Sequence, residues 1–212
     1  MNKPSLFFFL TALLTGCPAA NDDDSAGDDD DSVANDDDAT GDDDDSTGGA
    51  LRTFMAMSDG DMGGPTGADV LCAADANNPD TSATWKAMLA GTSRVACADA
   101  DCASGTVGQV DWVFQPNTEY LRPEGGTLFT TDANGVFTDY PLAMELLDAA
   151  DNFWSGLDSD WTTYTDEHCT DWTSDDSGEQ GRVGWTQSLD AFWIQGGDLD
   201  CSSTLMFLCV EQ

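Results

Sequence analysis

Six cysteines, Cys72, Cys97, Cys102, Cys169, Cys201 and Cys209, are spread through residues 51–212, and a seventh, Cys17, stands far ahead of them. An even set in an exported chain implies three disulfides, and bridges between distant segments restrict a fold more than local propensity does. Arithmetic alone leaves the pairing open. Cys97 and Cys102, in "CADADC", are near enough to close a small loop on each other. Zinc is a weak reading of the same residues, because there is no C-x2-C pair and His168 is the only imidazole.

The first residues argue for export. Lys3 precedes the apolar run Leu6 to Leu14, which contains Phe7, Phe8 and Phe9 and leads into Leu14-Thr15-Gly16-Cys17. A basic start, a short apolar stretch and small residues before a cut site describe a secretory signal, too short to span a bilayer as a mature helix. Leu-Thr-Gly-Cys resembles the lipobox of bacterial lipoproteins, so residues 1–16 are read as signal and Cys17 as the lipidated N-terminus. Several acyl chains on one cysteine suffice for stable anchoring. Pro18, rather than Asp, follows that cysteine. This leans toward the outer membrane and, with the tether below, toward surface exposure. No later run approaches about eighteen apolar residues, so the mature protein is expected to be soluble apart from its lipid.

Residues 21–48 hold fourteen Asp and no base, in two copies, Asn21 to Ala34 and Asn35 to Gly48. So polar and one-signed a run cannot bury enough apolar surface to offset chain entropy, and residues 17–50 are expected to form a disordered, self-repelling tether. Some thirty residues reach ~100 Å fully extended and ~30 Å as a flexible coil. Loose counterion condensation is the expected ion chemistry, since a specific calcium site needs ordered ligands. Apart from Lys3 and these Asp, 5 bases still face 27 acids. Nucleic acid and heparin-like polyanions are therefore poor partners.

Residues 51–212 are long enough for one domain with its own core. Frequent Gly and turn dipeptides imply short strands and long loops, an α+β class with about two helices. The helices expected are Thr66 to Ala76 and, beginning with Pro, Pro141 to Ala150. The strands expected are Arg52 to Met57, Thr84 to Leu89 with Trp85, Ala87 and Leu89 on one face, Gln109 to Phe114, and Thr204 to Glu211.

Six stretches in order, "GGPTGADVLC" (63–72), "TWKAMLA" (84–90), "NFWSGLDSDW" (152–161), "HCTDWTS" (168–174), "GEQGRVG" (178–184) and "CSSTLMFLCVEQ" (201–212), carry a resemblance. They resemble the landmarks of the endostatin domain, a divergent C-type-lectin-like fold. The chain is closer still to the bacterial, notably leptospiral, endostatin-like surface lipoproteins, a family of poorly defined function. The resemblance implies nested disulfides, Cys72 with Cys209 and Cys169 with Cys201, and leaves Cys97 with Cys102 as a local bridge. Closing the long outer loop contributes on the order of 4 kcal/mol in the chain-entropy model. Two endostatin properties do not carry over. Zinc binding there uses N-terminal histidines, and heparin binding uses surface arginines, of which this domain offers Arg52, Arg94, Arg122 and Arg182.

No catalytic residues are assigned. His168 adjoins a cysteine given to a disulfide, Asp pairs are uninformative in so acidic a chain, and neither G-x-S-x-G nor a phosphate-cradling loop occurs. Gln115-Pro116-Asn117 has the look of a lectin calcium motif but lies well before Cys169, and it is read as a turn. The most site-like stretch is Ser155 to Asp176. There Asp158, Asp160, Trp161, Asp171, Trp172, Asp175 and Asp176 are the candidate ligand-binding residues, and Asp158, Asp160, Asp175 and Asp176 the candidate calcium set. The bland alternative packs Trp161 and Trp172 in the core and leaves the Asp residues in solvated turns. The expected function is a lipid-anchored, non-enzymatic, adhesin-like surface protein that binds an extracellular protein or glycan. The alternatives are a calcium-dependent lectin module and a structural envelope lipoprotein.

Overall fold

The computed structural model describes residues 49–212; Cys17 and the acid repeats lie outside them. The described chain is α+β. Its strands are β1 (Leu51–Ser58), β2 (Trp85–Ala87), β3 (Glu119–Leu121), β4 (Thr127–Thr130), β5 (Asn152–Trp154), β6 (Gln180–Trp185), β7 (Gly197–Asp200) and β8 (Leu205–Glu211). The helices are α1 (Gly64–Ala74) and a single turn, α2 (Cys169–Trp172). Strand order is β4-β3-β1-β8-β5-β6-β7, with β2 also pairing β8.

The first and last strands form the spine. β1 runs antiparallel to β8 from Thr53 opposite Val210 to Ser58 opposite Leu205. Side chains alternate across a strand, so the unbroken apolar run of β8 must be covered on both faces. It is: Phe207 and Cys209 enter one buried cluster with Phe54, Ala56, Trp85 and Trp154. Leu208 and Val210 enter another with Phe153, Trp161 and Trp193. The sheet thus separates two cores. A one-residue slip of β8 would exchange their contents.

Three disulfides close the scaffold: Cys72–Cys209, Cys169–Cys201 and Cys97–Cys102. These are the pairs that the resemblance implied. The outermost bridge ties α1 to β8 across a separation of 137 residues.

Strands β1, β2 and β8 and helix α1 lie where the pattern placed them, although α1 starts at Gly64, two residues before Thr66. Two expected elements are absent. Pro141 to Ala150 is not helical, because its amides turn outward: Leu142 N donates to Leu189 O at 2.8 Å and Leu146 N to Thr186 O at 2.9 Å. Leu142 and Leu146 are buried with the spacing of a helix face, but in an irregular segment laid across residues 186–189. Gln109 to Phe114 is not a strand either. Only Val110 forms a bridge, with Val95, while Val113 and Phe114 are buried and Trp112 Nε1 donates to Gly135 O at 2.9 Å. Packing of large side chains, not ladder pairing, organises that stretch.

Candidate functional site

The segment Ser155 to Asp176 leaves β5 and returns to β6 through α2. It opens tightly. Gly156 has φ +71, and a Cβ there would stand 2.1 Å from Ala90 O, so only glycine fits. It closes on a strained turn: Cys169, Thr170, Asp171 and Trp172 have φ of 49, 50, 59 and 63, a run of left-handed residues that costs each of them energy. The surroundings over-determine that turn. Cys169 is bonded to Cys201, Asp171 N donates to His168 Nδ1 at 2.9 Å, and Trp172 N donates to His168 O at 2.8 Å. His168 is thereby a capping residue of the turn.

The two tryptophans offered as binding faces are core residues. Trp161 and Trp172 are fully buried. Trp161 Nε1 donates to Phe137 O at 2.7 Å and Trp172 Nε1 to Ala90 O at 2.9 Å, so both indoles have their polar atom satisfied. Trp172 packs on Trp154 with centroids 5.8 Å apart. The bland alternative holds for both.

The Asp candidates are occupied in local turns. Asp158 Oδ1 accepts from Ser159 N at 2.6 Å. Asp160 Oδ1 accepts from Thr162 N and Oγ1 at 3.1 and 2.6 Å. Asp171 Oδ1 accepts from Thr92 N and Ser93 N at 2.7 and 3.2 Å, pinning the neighbouring loop to α2. Asp176 Oδ1 accepts from Gly178 N at 2.8 Å, and Asp175 is exposed. Among the described residues no three His, Cys, Asp or Glu side chains stand together as a metal-ligand group. Asp158, Asp160, Asp175 and Asp176 are thus not gathered into such a group among the described residues. Gln115-Pro116-Asn117 is a turn, with Asn117 at φ 51 and its N donating to Asp132 O at 2.9 Å.

What the segment does present is a pair of adjoining open hollows sharing Asp166 and His168. The first, about 390 Å³, counts Thr92, Thr162, Thr163, Tyr164 and Thr165 among its lining residues, beside Val95, Cys97 and Ala98. The second, about 490 Å³, adds Glu167, Thr170 and Glu179.

Behind them lies a charged cluster that sequence reasoning missed. The guanidinium of Arg182, on β6, sits 3.8 Å from the centre of the Tyr164 ring. Its Nη1 is 2.6 Å from Asp198 Oδ1 and 3.7 Å from Glu167 Oε2. Burial pushes the Glu167 carboxyl up to about 7, the neighbouring Asp198 carboxylate adds to the rise, and Arg182 opposes it. Glu167 therefore holds its proton more tightly than an exposed carboxyl does. No local signal announces the cluster, since its members come from a loop, β6 and β7.

Every Lys and Arg among the described residues is in an ion pair. Arg52 bonds Asp80 and Glu211; Lys86 bonds Asp111; Arg94 bonds Asp69 and Asp111; Arg122 bonds Glu124 and Asp148; Arg182 bonds Glu167 and Asp198. The surplus is entirely carboxylate.

Fold and site together define a disulfide-bridged α+β domain whose loops present hydroxyls and carboxylates. The chain belongs to the family described as "Protein of unknown function (DUF1554)", whose model matches residues 55–189. That span contains the segment 155–176 and Arg182 but ends before Asp198. No curated protein matches the chain.

Proposed function

We propose that this protein is a lipid-anchored, non-enzymatic recognition protein of the bacterial surface, with an endostatin-like, C-type-lectin-like domain carried on the acidic spacer. In this reading Cys17 holds the lipid, the Asp repeats set the distance from the outer membrane, and the bridged loops meet an extracellular partner. The ordered landmarks and the nested disulfides support it. The observation that carries it is the charge pairing: with every described cation engaged, the face a partner meets is anionic, held on a scaffold whose strained turn is fixed by a disulfide. Such a face suits neutral or cationic partners and repels polyanions.

The calcium-lectin alternative draws no support from the Asp positions, whereas the threonine-lined hollow is chemically suited to hydroxyl-bearing ligands without a metal. The test is binding of the oxidised full chain to a glycan array and to a panel of extracellular proteins, each with calcium and with chelator. Chelator-insensitive binding of a protein is the expected result. Calcium-dependent glycan binding would favour the lectin, steady hydrolysis of any offered ligand would make it an enzyme, and no binder at all would favour a structural envelope role.

A further inference from the structure

Away from segment 155–176, three large apolar side chains are exposed within residues 185–192. Trp185 is 49% exposed, Phe192 57% and Leu189 40%. Their placement follows from the core. Trp185 ends β6 opposite Asn152. Phe192 lies in a short 3-10 turn, Ala191–Trp193, whose next residue, Trp193, is fully buried and donates from Nε1 to Tyr140 OH at 3.2 Å. Anchoring Trp193 inward turns Phe192 outward.

Two hollows flank Phe192. One, about 350 Å³, is lined by Glu145, Trp185, Gln187, Ser188, Asp190 and Phe192. The other, about 270 Å³, shares Asp190 and Phe192 and adds Ser159 and Gln195. Asp190 accepts from Ser188 Oγ at 2.6 Å and from Phe192 N at 3.0 Å, which keeps its carboxyl below the usual carboxylate range and hence charged. Among the described residues neither Glu145 nor Asp190 is in an ion pair. No cation lines either hollow.

Exposed aromatic faces beside unpaired carboxylates have a specific complement. The negative face of an indole or phenyl ring and a nearby carboxylate both attract an ammonium or guanidinium, and the rings cover its aliphatic stem. We propose that the hollow between Trp185 and Phe192 takes a lysine or arginine side chain from an extended basic segment of a partner protein. This rests on the recognition role proposed above and assigns it a partner chemistry. Glu145 and Asp190 hold the charge, Trp185 and Phe192 hold the stem, and the second hollow receives the next residue of the segment.

The test is calorimetric titration of the full chain with hexa-arginine at about 150 mM salt, where diffuse attraction to distant carboxylates is screened. Chitohexaose, an uncharged glycan, is titrated in parallel. W185A, F192A and E145Q are each expected to weaken hexa-arginine binding about tenfold. Glu145 makes no side-chain hydrogen bond, so E145Q keeps the comparison valid should W185A fail to fold. Three results overturn the proposal: no binding by the native chain, equal binding by the variants, or chitohexaose in place of hexa-arginine at Trp185. If hexa-arginine fails while the extracellular panel yields a partner, the cationic specificity falls and the recognition role stands. If the panel is also empty, both fall.

Discussion

The guanidinium of Arg182 is stacked 3.8 Å from the centre of the Tyr164 ring. A buried strand residue thereby braces the loop that lines both hollows. Stacking uses the planar face of the guanidinium while its edge reaches Asp198, an arrangement an ammonium cannot reproduce. Arg182→Lys is expected to keep the charge, lose the stack and loosen residues 162–168. Faster amide hydrogen exchange there, with β1 and β8 unchanged, is the measurement that checks it.

Glu167, beside Arg182, makes stability depend on pH near neutrality. Glu167 holds its proton up to about 7 in the folded protein, whereas an unfolded glutamate releases it near ~4.3. Between those values the folded state binds more protons than the unfolded chain, so stability falls as pH rises through the window. The opposite contribution, from Asp80 held down to about 2, is lost only in stronger acid. The protein is therefore expected to melt higher at pH 5.5 than at pH 8. Glu167→Gln should flatten that difference, and melting curves at constant ionic strength decide it.

Arg94 is fully buried between two carboxylates. It donates to Asp69 at 2.8 and 2.7 Å, to Asp111 at 3.1 and 2.5 Å, and to Ala87 O at 2.7 Å, joining α1, β2 and the 92–111 loop. Removing the guanidinium leaves Ala87 O and the half-buried Asp69 without their partner, so Arg94→Met should cost about 1–3 kcal/mol in urea unfolding. Arg94→Lys should recover only part of that, because an ammonium cannot span both carboxylates and the carbonyl.

The bridges should differ in worth. Replacing Cys72 and Cys209 by Ser opens a closure of 137 residues and is expected to lower stability by about 5 kcal/mol. The Cys97–Cys102 bridge closes a separation of 5 and should matter less, by about half. Denaturant midpoints of the two double variants test the ranking.

Thr170 is exposed with φ 50 and ψ 54, a conformation that a β-branched residue adopts at a cost of about 1–2 kcal/mol. Thr170→Gly removes that strain, at the loss of a hydrogen bond from Thr170 Oγ1 to Glu179. The melting temperature should rise by a few degrees, against the fall that glycine normally brings.

Local pattern alone determined α1, β1, β2 and β8: an apolar run or alternation at the right period is legible wherever it is long enough. With the resemblance added, the residues also determined the disulfide pairs found. Tertiary structure decided the rest. The apolar spacing of Pro141 to Ala150 is compatible with a helix, yet its amides found carbonyls at residues 186–189, which no local signal names. The residues favoured the core for Trp161 and Trp172 without fixing it, because an indole serves either place; carbonyls at Phe137 and Ala90, far away in sequence, settled it. The same packing that buried Trp193 exposed Phe192. Burial depends on which faces meet after the chain closes, and only the closed sheet with its three bridges specifies those meetings.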